Sequence, residues 1–162
     1  MPAMVSSSEA VRHSPRRKNI PQSAHQRINR RNFAHMRAVI QRVQHASVTI
    51  NGQIKSAIHQ GFLILLGIEE ADNRDDADWL CRKISALRVF DDEGGVMNRS
   101  LQDIGGEALV VSQFTLMASY KKGNRPSYIR AADHEHAIPL YEYFCQALEQ
   151  ALGRPIGTGQ FG

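Results

Sequence analysis

Apolar residues fall into short β-rich runs up to about residue 68 and into helically spaced sets after it. "RAVIQRV" (37–43) and "ASVTI" (46–50) are rich in β-branched residues, the composition of strands. Asn51-Gly52 is a type I′ hairpin signal, and "QIKSAI" returns the chain. Gly61 then opens "FLILLGI", a continuous apolar run of strand length. These runs predict a compact antiparallel start. Next, Asp72 and Asn73 offer helix N-caps, and Asp75, Asp76 and Asp78 suit the positive end of a helix dipole. Ala77, Leu80, Ile84 and Leu87 follow on one helical face, with Arg88 near its end. "DDEGG" reads as a turn, and 96–106 as a short irregular element. "EALVVSQFTL" (107–116) reads as the next central strand. After a loop rich in Lys, Gly, Asn and Pro, Asp133 can cap a second helix. Its stripe is Ala137, Leu140, Tyr141, Phe144, Ala147, Leu148 and Ala151. Pro139 falls in the first turns, where it costs least, and Gly153 ends the helix. No internal repeat is present.

Length and composition fit one globular domain: 162 residues can bury a real core. No apolar run approaches the roughly 20 residues of a membrane helix. Cys81 and Cys145 stand alone in helical patterns and read as free, buried thiols, which suits a reducing compartment. The formal charge of +4 is unevenly spread. Residues 1–35 hold seven basic residues against one acidic residue, Glu9; residues 36–162 hold 13 basic and 15 acidic, a net of −2. A whole-surface attraction for nucleic acid is therefore excluded from the folded part, and any anion binding there must be local. Residues 1–35 read as a disordered basic extension. Three accounts stand open for it: an organelle-targeting segment, a basic arm for RNA, or a start misplaced ahead of Met36.

The most informative stretch for chemistry is "LVVSQFTLMASYKKGNRPSY", residues 109–128. A buried strand runs into Ser112, Gln113 and Thr115, then into a loop with Lys121, Lys122 and Arg125. Ser112 has no GxSxG context, and His45, His59, His134 and His136 lie in no catalytic motif. Neither HExxH nor a cysteine–histidine metal pattern occurs, nor a glycine-rich phosphate loop. What remains is a site of backbone and small polar groups at a strand end. One N–H donor to an oxyanion lowers a barrier by about 2.7–4 kcal/mol. That suffices for a reactive ester whose own substrate activates the nucleophile, and not for a peptide bond.

Together, "MRAVIQRVQHASVTINGQI", "GFLILLGI", "DADWLCRKISALRVFDDEGGVMNRSL", "GGEALVVSQFTL" and "KKGNRPSY" resemble the D-aminoacyl-tRNA deacylase family, in its order and spacing, over residues 36–162. The resemblance implies an α+β fold: a bent, barrel-like, mostly antiparallel β-sheet with two outer helices. It implies a homodimeric, cytoplasmic hydrolase, with no cofactor, metal or membrane, that cleaves the ester between tRNA and a D-amino acid, or glycine wrongly attached. The family's "SQFTL" signature falls on Ser112, Gln113, Phe114, Thr115 and Leu116, whose backbone donors would hold the substrate and the oxyanion. Two mechanisms stand open in such enzymes: Thr115 as nucleophile, or assistance by the RNA's own 2′-hydroxyl, which the chemistry above favours. Phe114 either shapes the adenine pocket or packs in the core. Met97 and Asn98 match the segment beside the adenosine. Arg42 matches an arginine that holds the partner's chirality-checking loop. Lys121, Lys122, Arg125 and Pro126 lie in the loop expected to meet tRNA phosphates; the plainer reading is a solvated loop.

Family members continue past the "TGxFG" segment, here residues 158–162, with another strand and an "NDGPVT" motif. Its Gly-cis-Pro reaches into the other subunit's pocket and excludes L-amino acids. The resemblance thus implies a deacylase domain over 36–162 without that strand and motif, with a sheet edge left open. Two other readings accompany the editing hydrolase: a catalytically impaired RNA-binding module of the same fold, and an unrelated small-ester hydrolase using Ser112 or Thr115.

Overall fold

The computed structural model describes residues 36–121 and 123–161. The basic extension 1–35 and Lys122 lie outside the described residues, so the readings made for them are not addressed.

Two apolar strands form the centre of a four-stranded sheet. β4 (Gly61–Gly67) carries Phe62, Ile64 and Leu66 into the core, and β7 (Glu107–Ser112) carries Ala108, Leu109 and Val110, all essentially inaccessible to solvent. Strands buried on both sides read as continuous apolar runs, as these do. The sheet order is β1-β4-β7-β8, with β1 spanning Arg37–Val43 and β8 spanning Gly157–Thr158. β1 pairs antiparallel with β4 along its whole length, from Arg37↔Gly67 to Val43↔Gly61. β4 pairs parallel with β7, and β7 parallel with β8. Parallel neighbours need a crossover. Between β4 and β7 it contains helix α1 (Arg74–Ser85) and the hairpin of β5 (Phe90–Asp91) with β6 (Met97–Arg99).

The hairpin of β2 (Ala46–Ile50) and β3 (Gln53–Ile58) turns at Asn51 and Gly52, whose φ values of 52° and 77° are those a type I′ turn requires. It fastens to the sheet edge through Ser56, whose hydroxyl donates to the Thr158 carbonyl at 2.9 Å and accepts from the Thr158 N–H at 3.2 Å. Helix α1 begins with a capping box: Asn73 accepts from Asp75 N–H, and Asp76 accepts from Asn73 N–H. Helix α2 (His134–Leu152) is capped by Asp133 and stopped by Gly153 at φ 66°. Ala77, Cys81 and Ile84 of α1 meet Leu140, Tyr141, Phe144 and Leu148 of α2 in the core beneath the sheet. The Tyr141 hydroxyl donates to the Val110 carbonyl at 2.7 Å and ties α2 to β7.

The α+β class and both helices are as expected. The expectation of a mostly antiparallel sheet is corrected: two of the three pairings in the main sheet are parallel. The reason is the long crossover, which brings β7 back alongside β4 instead of reversing it. Nor is the sheet a closed barrel among the described residues, since β1 and β8 are its edges. The strand expected over 107–116 stops at Ser112, and Phe114–Met117 wind into a 3₁₀ turn. Helix α1 ends at Ser85, leaving Leu87 outside it and exposed. No helix among the described residues is long and apolar enough to cross a membrane.

Candidate functional site

The site grows from the carboxyl end of β7. Ser112 is the last residue in register with β4, opposite Leu66, and Gln113 N–H still donates to the Leu66 carbonyl at 2.7 Å. The chain then tightens into the 3₁₀ turn, closed by Leu116 N–H to the Gln113 carbonyl and Ala118 N–H to that of Thr115. Gly67 makes room for it: a Cβ there would lie 2.9 Å from Leu116 Cβ and 3.2 Å from the Gln113 oxygen. Buried Met117 anchors the turn, and Arg37 Nη1 donates to the Leu116 carbonyl at 2.6 Å. The N–H groups of Phe114 and Thr115 precede the first hydrogen bond of the turn and have no partner within it.

This turn opens on a cavity of about 600 Å³. Ser112, Gln113 and Phe114 form one wall; Tyr128, Ala131 and Ala132 form the facing one; Asp133, His134 and Phe161 are also in its lining. The facing wall is docked on the residues after β4. Glu69 and Ala131 form an antiparallel bridge, and Ala132 N–H donates to the Ile68 carbonyl at 3.0 Å. Arg130 Nε meets the buried Glu69 carboxylate at 2.5 Å. Asp72 stands behind, accepting from Glu69 N–H at 2.6 Å and from Met36 N–H at 2.9 Å. Burial pushes its carboxyl above the usual range, against the pull of those two backbone donors.

The hydroxyls are not armed as nucleophiles. Thr115 Oγ1 accepts from the Gln113 amide at 2.5 Å, and an amide is no base. No hydrogen bond joins Ser112 or Thr115 to a histidine among the described residues; His134 instead sets its ring against Phe161. Phe114 is 57% exposed at the cavity mouth, edge-on to Tyr128 with centroids 5.3 Å apart. It is therefore a rim residue and not part of the core.

The other expected residues are dispersed. Lys121, Arg125 and Pro126 are exposed on a loop closed by two Ser119–Ser127 backbone hydrogen bonds, each 2.8 Å. Arg42 is not in the cavity lining; its guanidinium donates to the Val89 carbonyl at 2.5 Å and pairs with Asp91 at 3.6 Å. Met97 and Asn98, on β6, are not in the lining either. Met97 is exposed, while Asn98 donates to Asp92 and accepts from Arg88. The sequence reasoning missed Tyr128, Ala131, Ala132 and Phe161. The signals available were weak: an aromatic closing the basic loop and another following the "TG" pair.

Comparison with known proteins identifies the family of the chain. A family model described as D-Tyr-tRNA(Tyr) deacylase matches residues 39–162. The chain is 70% identical over 127 residues to a D-aminoacyl-tRNA deacylase of Phocaeicola vulgatus, spanning 78% of this chain and 85% of that one. Over the same length it is 60% identical to one from Chromobacterium violaceum, with the same coverage. Among solved structures, a c-Myc DNA unwinding element binding protein superposes with a TM-score of 0.72 at 41% identity, covering 77% of this chain and 85% of that chain. A probable eukaryotic D-amino acid tRNA deacylase superposes at 0.63 and 15% identity, covering 73% and 69%, a likeness of fold.

Proposed function

The chain belongs to the D-Tyr-tRNA(Tyr) deacylase family, and from that membership we propose that it hydrolyses the ester joining a D-amino acid to the 3′ end of tRNA. Glycine wrongly esterified to tRNA is its second substrate, and the cytoplasm its place of action. The working form is a homodimer, with Arg42 contributing to contacts across it and Met97 and Asn98 lying beside the terminal adenosine. The barrel-like bend expected of the sheet belongs to this reading too, with the β2–β3 hairpin fastened at the β8 edge.

One observation carries the mechanism: at a buried strand end beside a cavity, the N–H groups of Phe114 and Thr115 have no partner within the turn, and neither Ser112 nor Thr115 is hydrogen-bonded to a histidine among the described residues. Water adds to the ester carbonyl. The negative charge developing on the carbonyl oxygen is received by the N–H groups of Phe114 and Thr115, fixed in advance by the turn. The bond to the ribose oxygen then breaks, and that oxygen takes up a proton. The neighbouring 2′-hydroxyl of the RNA hydrogen-bonds the reacting centre, a task no side chain here performs. Ser112 and Thr115 shape the site without forming an ester of their own.

Purified protein incubated with D-tyrosyl-tRNA is expected to release D-tyrosine rapidly. A Ser112→Ala/Thr115→Ala chain keeps turnover within about tenfold of the parent, the scale of lost positioning and not of a lost nucleophile. D-tyrosyl-tRNA ending in 2′-deoxyadenosine is hydrolysed far more slowly. An acyl-enzyme trapped on either hydroxyl would reject this mechanism, and RNA binding without ester loss would leave a binding module.

A further inference from the structure

We propose that Tyr120 is a stacking platform for an unpaired base of the RNA 3′ strand, upstream of the nucleotide held in the cavity. The inference rests on the reading of that cavity as the seat of the aminoacylated terminus. A cavity of about 600 Å³ is the size for one drug-sized ligand. It takes the terminal nucleoside with its amino acid, and the preceding nucleotides must leave across the mouth. The mouth is rimmed by Phe114 and Tyr128. Tyr128 directly follows Ser127, and Ser127 is bonded to Ser119 through both backbone groups at 2.8 Å. Tyr120 therefore starts the loop that leaves the rim, on the far side of that ladder pair.

Tyr120 is 75% exposed and lies beside exposed Lys121, with exposed Arg125 on the returning limb. An exposed aromatic ring on a loop that also carries cations and is held at its base is how proteins grip single-stranded nucleic acid: rings stack on bases while cations track the phosphates. Residues 36–162 carry a net charge of −2, so this local cationic loop, and not the whole surface, must hold the strand. Stacking accepts any base and so fits an enzyme that handles many tRNAs.

The test uses the full chain and an uncharged, 5′-labelled RNA stem-loop with an unpaired CCA end, followed by fluorescence anisotropy. Tyr120→Ala is expected to weaken binding on the order of tenfold, with Tyr120→Phe and Tyr120→Trp close to the parent. An abasic site at one of the two nucleotides before the terminal adenosine weakens the parent equally and leaves the alanine variant unchanged. The salt dependence of binding stays the same in Tyr120→Ala and becomes shallower in Arg125→Ala, by about 0.7 in the log–log slope. Equal affinity for parent and alanine variant would overturn the proposal. So would equal losses on intact and abasic RNA, or a changed sedimentation coefficient in Tyr120→Ala, which would give the ring to a second copy of the chain. The same preparations are assayed on D-tyrosyl-tRNA. Tyr120-dependent, base-dependent binding without hydrolysis would remove the deacylase reading alone; hydrolysis with binding indifferent to Tyr120 would remove the platform alone.

Discussion

Gly67 sets the room for the turn beside the cavity without lining it. It lies under the 3₁₀ turn, and a methyl group there would press on Leu116 Cβ at 2.9 Å and the Gln113 oxygen at 3.2 Å. Those two neighbours are the root of a side chain and backbone, which cannot swing aside; the third, Met117 Cε at 3.2 Å, is the movable end of a side chain. Gly67→Ala is expected to cost about 1–3 kcal/mol in urea denaturation, the scale of overpacking. It is also expected to lower turnover of D-tyrosyl-tRNA more than it lowers affinity, because displacing Leu116 and Gln113 shifts the turn that carries the proposed oxyanion donors, the N–H groups of Phe114 and Thr115. Unchanged turnover with lowered stability would separate the turn from the chemistry.

The segment over 128–132 is an element in its own right, held as a wall by a bridge, an ion pair and the Ala132–Ile68 hydrogen bond. Arg130 is 44% exposed on its side chain, and Glu69 only 9%. Removing the guanidinium weakens the hold on a buried carboxylate, and partial exposure moderates the loss. Arg130→Met is expected to cost about 1–2 kcal/mol and to raise KM for the aminoacyl-tRNA. Arg130→Lys should recover most of both when urea midpoints and kinetics are compared. This element also marks where the sequence stopped being legible. The caps at Asn73 and Asp133 and the stop at Gly153 were readable because each is settled within a few residues. The polar end of β7 was readable because its hydroxyls and amide interrupt an apolar run. Ala131 carries no local sign of a site and Phe161 only a weak one; the first comes to it through pairing with Glu69, the second through the path of the chain after α2. The parallel order of β4 and β7 was hidden likewise, since an apolar run does not reveal the direction of its neighbour.

For the molecule as a whole, burial of titratable groups sets how folding responds to pH. Burial pushes the thiols of Cys81 and Cys145 up to about 12 and raises the Tyr141 phenol. An unfolded thiol ionises near about 8.5. The folded pKa values lie above the unfolded ones, so the stability these protons contribute is complete below about pH 8.5. It is lost as pH climbs through about 12. Urea unfolding should therefore weaken steadily from pH 8 to 10.5, with a shallower decline in Cys145→Ala, whatever that variant costs at pH 7. Native thiols should also resist alkylation at pH 8 and react once unfolded.

The two hydrogen bonds between Ser119 and Ser127 make the basic loop a detachable handle. Its base is fixed, so its length and composition can change at little thermodynamic expense; doubling a flexible loop costs only about 0.6 kcal/mol in closure entropy. The Phe114–Met117 turn, with its proposed oxyanion donors, sits on the other side of that clasp, fastened to β4 through the Gln113 N–H. On the proposed reading, grip on RNA and bond-breaking are thus separable traits. A lineage, or an engineer, could graft a different tip onto the same clasp to retune which nucleic acids are held, leaving the catalytic turn as it is.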